Sequence, residues 1–235
     1  MRYAIYFTPE RDDPLAKFAA RWLGRDPFTS ETLPPVAVGS FSAAEIAFHT
    51  AAARRYGFHA TLKAPFRLMD GLKETELCDA LDRYTLQQEP VHLERIKLAR
   101  LDSFFALVPA DPSPDLNALA SDVVTAFEPY RAPLSPSEIE RRNPDNLSPA
   151  QLKNLHKWGY PYVHEEFRFH MTLTGRVPAA EAERMEQAIS DHFGPLLLEP
   201  LTIGTLALFI EPEPGAPFKI KSLHPLQGGR ARKTA

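Results

Sequence analysis

Cys78 is the only cysteine in 235 residues, which excludes an intramolecular disulfide framework and suits a reducing compartment. No apolar run approaches the ~20 residues of a membrane span. Met1-Arg2-Tyr3 leads straight into a strand pattern rather than a signal peptide, so the expected location is the cytoplasm. Glycine is sparse, 11 residues against 23 prolines, and forms neither a phosphate-cradling loop nor a Gly-x-Ser-x-Gly nucleophile elbow. Surplus positive charge is missing too. A formal net charge of −3 excludes the broad basic footprint of a long-DNA binder and leaves open a small anionic substrate in a local pocket.

What the chain does have is one phrase written twice: Phe58-His59-Ala60-Thr61-Leu62 and Phe169-His170-Met171-Thr172-Leu173. On a strand, alternate side chains share a face. His59 and Thr61 then face one way and Phe58, Ala60 and Leu62 the other, and the second phrase divides in the same manner. Each reads as a strand buried on its apolar side that presents an imidazole beside a hydroxyl on the other. Recurrence at matched offsets marks an internal repeat and sets these histidines apart from the rest.

Around the motifs, periodicity predicts a first strand over 2–8 and helices over 14–23, 42–55, 73–88 and 114–130. Strands are predicted over 91–101 and 103–109. The segment 134–160 is polar and broken by Pro144 and Pro149, so it reads as an insertion of two short helices. A helix over 179–193 and strands over 196–210 and 218–223 follow, and the last residues, 228–235, are small, basic and expected to fray. With 44% hydrophobic and 24% charged residues the composition is that of an ordinary globular enzyme. We therefore expect one bilobal α+β domain over 1–235 that is pseudo-symmetric, with room for strand exchange between lobes. One lobe holds the first motif (57–66), the other the second (167–175), and the motif strands line the groove between them.

Two imidazoles in one cleft can supply a base and an acid near neutral pH. Thr61 and Thr172 add hydroxyl donors suited to non-bridging phosphate oxygens. Strand parity puts Lys63 beside the first pair and Arg168 beside the second, as two phosphate-binding cations. Tyr3, Tyr6, Arg142, Trp158, Tyr160 and Tyr162 are further candidates for the groove, where an aromatic ring can cap a sugar or base and Arg142 can reach a second phosphate. His156, His164 and His170 with Glu165 and Glu166 lack the i, i+4 histidine pair of a helical zinc motif, so neither a metal nor a cofactor is expected.

The paired His-x-Thr-apolar motifs resemble the two-histidine phosphoesterase superfamily. Arg55-Tyr56-Gly57-Phe58-His59-Ala60-Thr61-Leu62-Lys63, Trp158-Gly159-Tyr160-Pro161-Tyr162 and Phe167-Arg168-Phe169-His170-Met171-Thr172-Leu173-Thr174-Gly175 resemble more closely a branch named for phosphonate metabolism. The resemblance implies two antiparallel sheets flanking a central groove, His59 and His170 as catalytic acid and base, and Thr61 and Thr172 on phosphate. It implies metal-free hydrolysis of a small sugar or nucleotide cyclic phosphate, linked to phosphonate breakdown. Two alternatives stay open: an RNA end-processing 2′,3′-cyclic phosphodiesterase or 2′-5′ ligase, and a non-catalytic nucleotide-phosphate-binding module.

Overall fold

Alternation in Arg2–Phe7 (β1) sends Tyr3, Ile5 and Phe7 to one face and Ala4 and Tyr6 to the other, and all five are buried. This computed structural model describes residues 1–228; the remainder of the expected frayed end lies outside the described residues. Helix α1 (Pro14–Leu23) starts on Asp13, whose carboxylate accepts the Leu15 N–H, and stops at Gly24 with φ 71°. Helix α2 (Ala43–Arg54) opens with the Ser42/Glu45 capping box and delivers the chain to β2 (Ala60–Phe66).

Helix α3 (Glu74–Thr85) is followed by β3 (Val91–Leu93), β4 (Ile96–Leu101), β5 (Phe104–Pro109) and helix α4 (Pro114–Ala126). The polar insertion forms α5 (Pro136–Glu140) and α6 (Pro149–Trp158). Each begins Ser-Pro with a reciprocal capping box, Ser135/Glu138 and Ser148/Gln151, which explains short helices in so polar a segment. Then come β6 (Met171–Thr172), α7 (Ala182–Phe193), β7 (Leu201–Ile203), β8 (Thr205–Glu211) and β9 (Lys219–Pro225). Among the described residues no helix is long and apolar enough to cross a membrane.

The strands make two antiparallel sheets, one of seven strands in the order β4-β5-β6-β2-β1-β8-β9 and one of two, β3-β7. The α+β class is as expected. The large sheet has two parts, β4-β5-β6 and β2-β1-β8-β9, joined by the single pair Ala60↔Met171 at the centre of the two motifs. Strands β4 and β5 precede the insertion yet pair toward the second motif, and β8 and β9, from the C-terminal part, extend the first motif's side. One sheet face packs on the main apolar cluster, which includes Trp22, Phe105, Val123 and Ile189. The other carries a smaller one of Ala4, Tyr6, Ala207, Phe209 and Phe218.

Two predicted strands are each divided. Val91–Leu101 breaks after Leu93 because β3 pairs with β7 in the small sheet while β4 pairs with β5 in the large one. In 196–210 the first residues belong to a 3-10 turn, and Gly204 separates β7 from β8.

Candidate active site

Both motif histidines stand immediately before their strands rather than within them, and the same local bond holds each. His59 Nδ1–H donates to the Gly57 carbonyl at 2.9 Å, and His170 Nδ1–H donates to the Arg168 carbonyl at 2.7 Å. A carbonyl only accepts, so the proton sits on Nδ1 and Nε2 is left for chemistry. Thr61 Oγ1 donates to His59 Nε2 at 3.3 Å. Phe58, Ala60, Leu62, Phe169, Met171 and Leu173 are buried, while His59, Thr61, His170 and Thr172 stay partly accessible.

Side chains from elsewhere fix the two segments. Thr8 Oγ1–H donates to the Phe58 carbonyl at 2.9 Å, and the buried Trp22 indole N–H donates to the Leu173 carbonyl at 2.9 Å. Gly57 adopts φ 77°, and a Cβ there would lie 2.7 Å from Pro27 Cβ. Only glycine fits the residue whose carbonyl aims His59.

The environments differ. His59 stacks on buried Tyr6, ring centroids 3.9 Å apart at 25°, with Tyr56 at 6.0 Å and Phe209 at 6.1 Å. Burial lowers its pKa from 6.5 to about 4; the Gly57 hydrogen bond opposes the drop and the charge of His170 adds to it. Among the described residues His170 meets a single ring, Phe104 at 5.8 Å. Burial also raises the Tyr6 phenol well above its ordinary value, so it stays neutral.

A cavity of about 280 Å³ opens on the first pair, with Tyr6, Tyr56, His59, Thr61, Thr172 and Tyr160 in its wall, and Arg2 and Arg142 at the side. The Arg142 guanidinium lies 5.0 Å from the Tyr160 ring centre, so Arg142, Tyr160 and Tyr6 all come to the groove. Tyr162 packs edge-on against Tyr160 at 5.5 Å and is 45% exposed, one ring further out.

Four candidates go elsewhere. Lys63 is buried in the main core, with Nζ donating to the Val124 carbonyl at 2.9 Å and to Glu128 at 3.0 Å. The β1–β2 register slips by one residue between Thr61, opposite Tyr6, and Lys63, opposite Ile5. That bulge reverses the parity after Thr61 and turns Lys63 to the core side. Tyr3 shares the core side with Ile5; its hydroxyl meets Glu74 at 3.2 Å, and burial pushes it up to about 12. Trp158 turns its ring to His164 at 4.8 Å and to the Lys157 ammonium at 4.5 Å instead of into the groove. Arg168 is exposed, and its carbonyl is what engages His170.

Arg2, Tyr56 and Thr174 also line the cavity and were not among the candidates. Parity on β1 places Arg2 with Ala4 and Tyr6, a signal present in the sequence. Parity reaches Thr174 as well, since it stands four residues past His170 as Lys63 does past His59, and its Oγ1 accepts the Phe105 N–H at 2.9 Å. A separate line of Ser222, His224 and Asp82, with bonds of 2.8 and 2.6 Å, ties β9 to α3 at the sheet edge.

The family model described as "Protein of unknown function (DUF1045)" matches residues 61–219. A curated protein of Janthinobacterium sp. (strain Marseille), named ribose 1,5-bisphosphate phosphokinase PhnN, is 39% identical over 92% of this chain and 49% of its own length. The chain spans about half the length of the curated relatives it matches. Among solved structures, TT0787 of Thermus thermophilus aligns over 97% of this chain and 99% of its own, with TM-score 0.46 and 14% identity. E. coli LigT complexed with 3′-AMP aligns over 96% of this chain and 97% of its own, with TM-score 0.42 and 12% identity.

Proposed function

Since this chain belongs to the DUF1045 family, described as of unknown function, we propose its activity from its own site: metal-independent hydrolysis of a small cyclic phosphodiester. The observation that supports this is the joining of two His-x-Thr segments at one bridging pair, with each imidazole held through Nδ1. His59, neutral through burial, is the base. Its Nε2 takes a proton from water as the water oxygen bonds to phosphorus. His170, as an imidazolium with its second proton on Nε2, gives that proton to the ester oxygen as the P–O bond breaks, leaving a ring-opened phosphomonoester. With substrate bound, Thr61 turns its hydroxyl from His59 Nε2 to the non-bridging oxygens, and Thr172 donates there too, as charge builds on them.

The curated relative's name carries a ribose bisphosphate, and a cyclic phosphate on a sugar is the substrate class we favour. A role in phosphonate breakdown and a place in the cytoplasm belong to the same reading. Its test is turnover of a panel of sugar and 2′,3′-nucleotide cyclic phosphates in excess EDTA. Release of a phosphomonoester by wild type, lost in both His59→Ala and His170→Ala, is the expected result. Abolition by EDTA alone would refute the metal-free route, and inactivity across the panel would favour a binding module.

A further inference from the structure

Beyond Arg2 and Arg142 the groove widens into a second cavity of about 640 Å³. It shares Arg2, Tyr56, Pro65 and Arg142 with the reactive cavity, so the two adjoin through a common wall. In a chain whose net charge is −3, this bay collects five guanidinium groups, from Arg2, Arg55, Arg67, Arg141 and Arg142, against two carboxylates, Glu138 and Glu211.

Both carboxylates are committed. Glu211 takes Arg2 at 2.5 Å and Arg55, and Glu138 takes Arg67 at 3.2 Å while closing the α5 capping box. Their pKa values lie below the ordinary carboxylate range because these hydrogen bonds outweigh burial. Among the described residues Arg141 and Arg142 have no carboxylate partner. Arg141 donates only to the Ser137 carbonyl, and Arg142 rests on the Tyr160 ring. Uncompensated guanidinium forks beside a reactive pocket suit a phosphate monoester, whose oxygens accept paired N–H donors.

We propose that this bay is a second anion subsite, which holds a phosphate monoester of the substrate while the cyclic phosphodiester lies between the histidines. The inference deepens the proposed function and names the substrate class: a small sugar bearing both a cyclic phosphate and a separate terminal phosphate. The bay then supplies binding energy away from the reacting bond, and Arg142, on the shared wall, sets the distance between the two phosphates.

Two measurements test it. The first is calorimetric titration of the full chain with ribose 5-phosphate, which has the monoester and no diester. Binding should weaken about tenfold or more in Arg142→Gln, the size expected for one charge-assisted contact, and persist in His59→Ala. Equal binding by wild type and Arg142→Gln, or loss in His59→Ala alone, would overturn the subsite whether or not the enzyme reading holds. The second is kcat/KM for ribose cyclic phosphates with and without a 5-phosphate. Wild type should prefer the phosphorylated one at least tenfold, and the preference should collapse in Arg142→Gln. Turnover of both at equal rates would overturn the subsite while sustaining the phosphodiesterase. A preference for oligoribonucleotides over both sugars would replace it with an RNA groove.

Discussion

The two motif segments share four residues in five and the same histidine bond, yet they sit in different surroundings. The first lies on the aromatic face formed by Tyr6, Tyr56 and Phe209, and opens a seven-residue strand. The second meets Phe104 and precedes a strand of two residues. Local sequence therefore fixes the aim of each ring through the carbonyl two residues back, and distant packing lowers the proton affinity of His59. On the proposed reaction, the copy packed among aromatic rings serves as base and the more open copy as acid.

The sharpest way to break that pairing is to remove one imidazole at a time. Either His→Ala change should lower kcat/KM by about 10³-fold, within the usual range for general acid–base groups. On a substrate with an activated nitrophenyl leaving group the two should part. The His170→Ala deficit should shrink about tenfold or more, since that leaving oxygen needs no proton, while the His59→Ala deficit stays. Equal deficits on both substrates would contradict the assignment of roles.

Gly57→Ala breaks the first copy alone. A Cβ 2.7 Å from Pro27 and a left-handed φ should cost about 1–3 kcal/mol of stability and swing the carbonyl that aims His59. Thermal melts together with a drop in kcat for this variant, against normal values for Arg168→Ala, whose carbonyl is retained, would check it.

Thr8→Val and Trp22→Phe compare the two anchors. Each strands a buried carbonyl, Phe58 or Leu173, and should cost about 1–3 kcal/mol in denaturant titrations. Thr8→Val should disturb the pH dependence set by His59, and Trp22→Phe should not.

The smallest effect sharpens the electrostatic contrast. His59 must be neutral to accept a proton, so kcat/KM should fall as pH drops through about 4. Because the folded value lies below the unfolded 6.5, the unfolded chain binds more protons between them, and stability should decline as pH falls through this window. Tyr6→Ala, by letting water reach the ring, should move the acid limb of the pH–rate profile upward by about one to two pH units, toward the ordinary value near 6.5.

Much of this was legible in the chain itself, for physical reasons. The motif alternation shows in the burial of Phe58, Ala60 and Leu62 against the accessibility of His59 and Thr61. Capping signals at Ser42 and the Ser-Pro starts of the insertion are local chemistry and read directly. Lys63 was misplaced because parity counting assumes an unbroken register, and the bulge is set by pairing with β1, which is remote in the sequence. Tyr3 was separable from Tyr6 by parity alone. The pairing of β4 and β5 with the second motif's strand was not readable, since nothing in an apolar strand names its partner. The gathering of Arg2, Arg67 and Arg142 in one bay depends on the same long-range assembly.

The pairing of β1 with both β2 and β8 has a consequence for how the protein comes to exist. Arg2 lies opposite Glu211 in the sheet, so β1 waits for a strand 209 residues further along before its second edge is filled. Closing that loop costs chain entropy before its contacts form, a topology that slows folding. The wait falls on the strand that supplies Tyr6 and Arg2, so the pocket around His59 depends on this long-range pairing. A chain holding both motifs but lacking β8 has the two histidines without Phe209, one of the rings that surround His59.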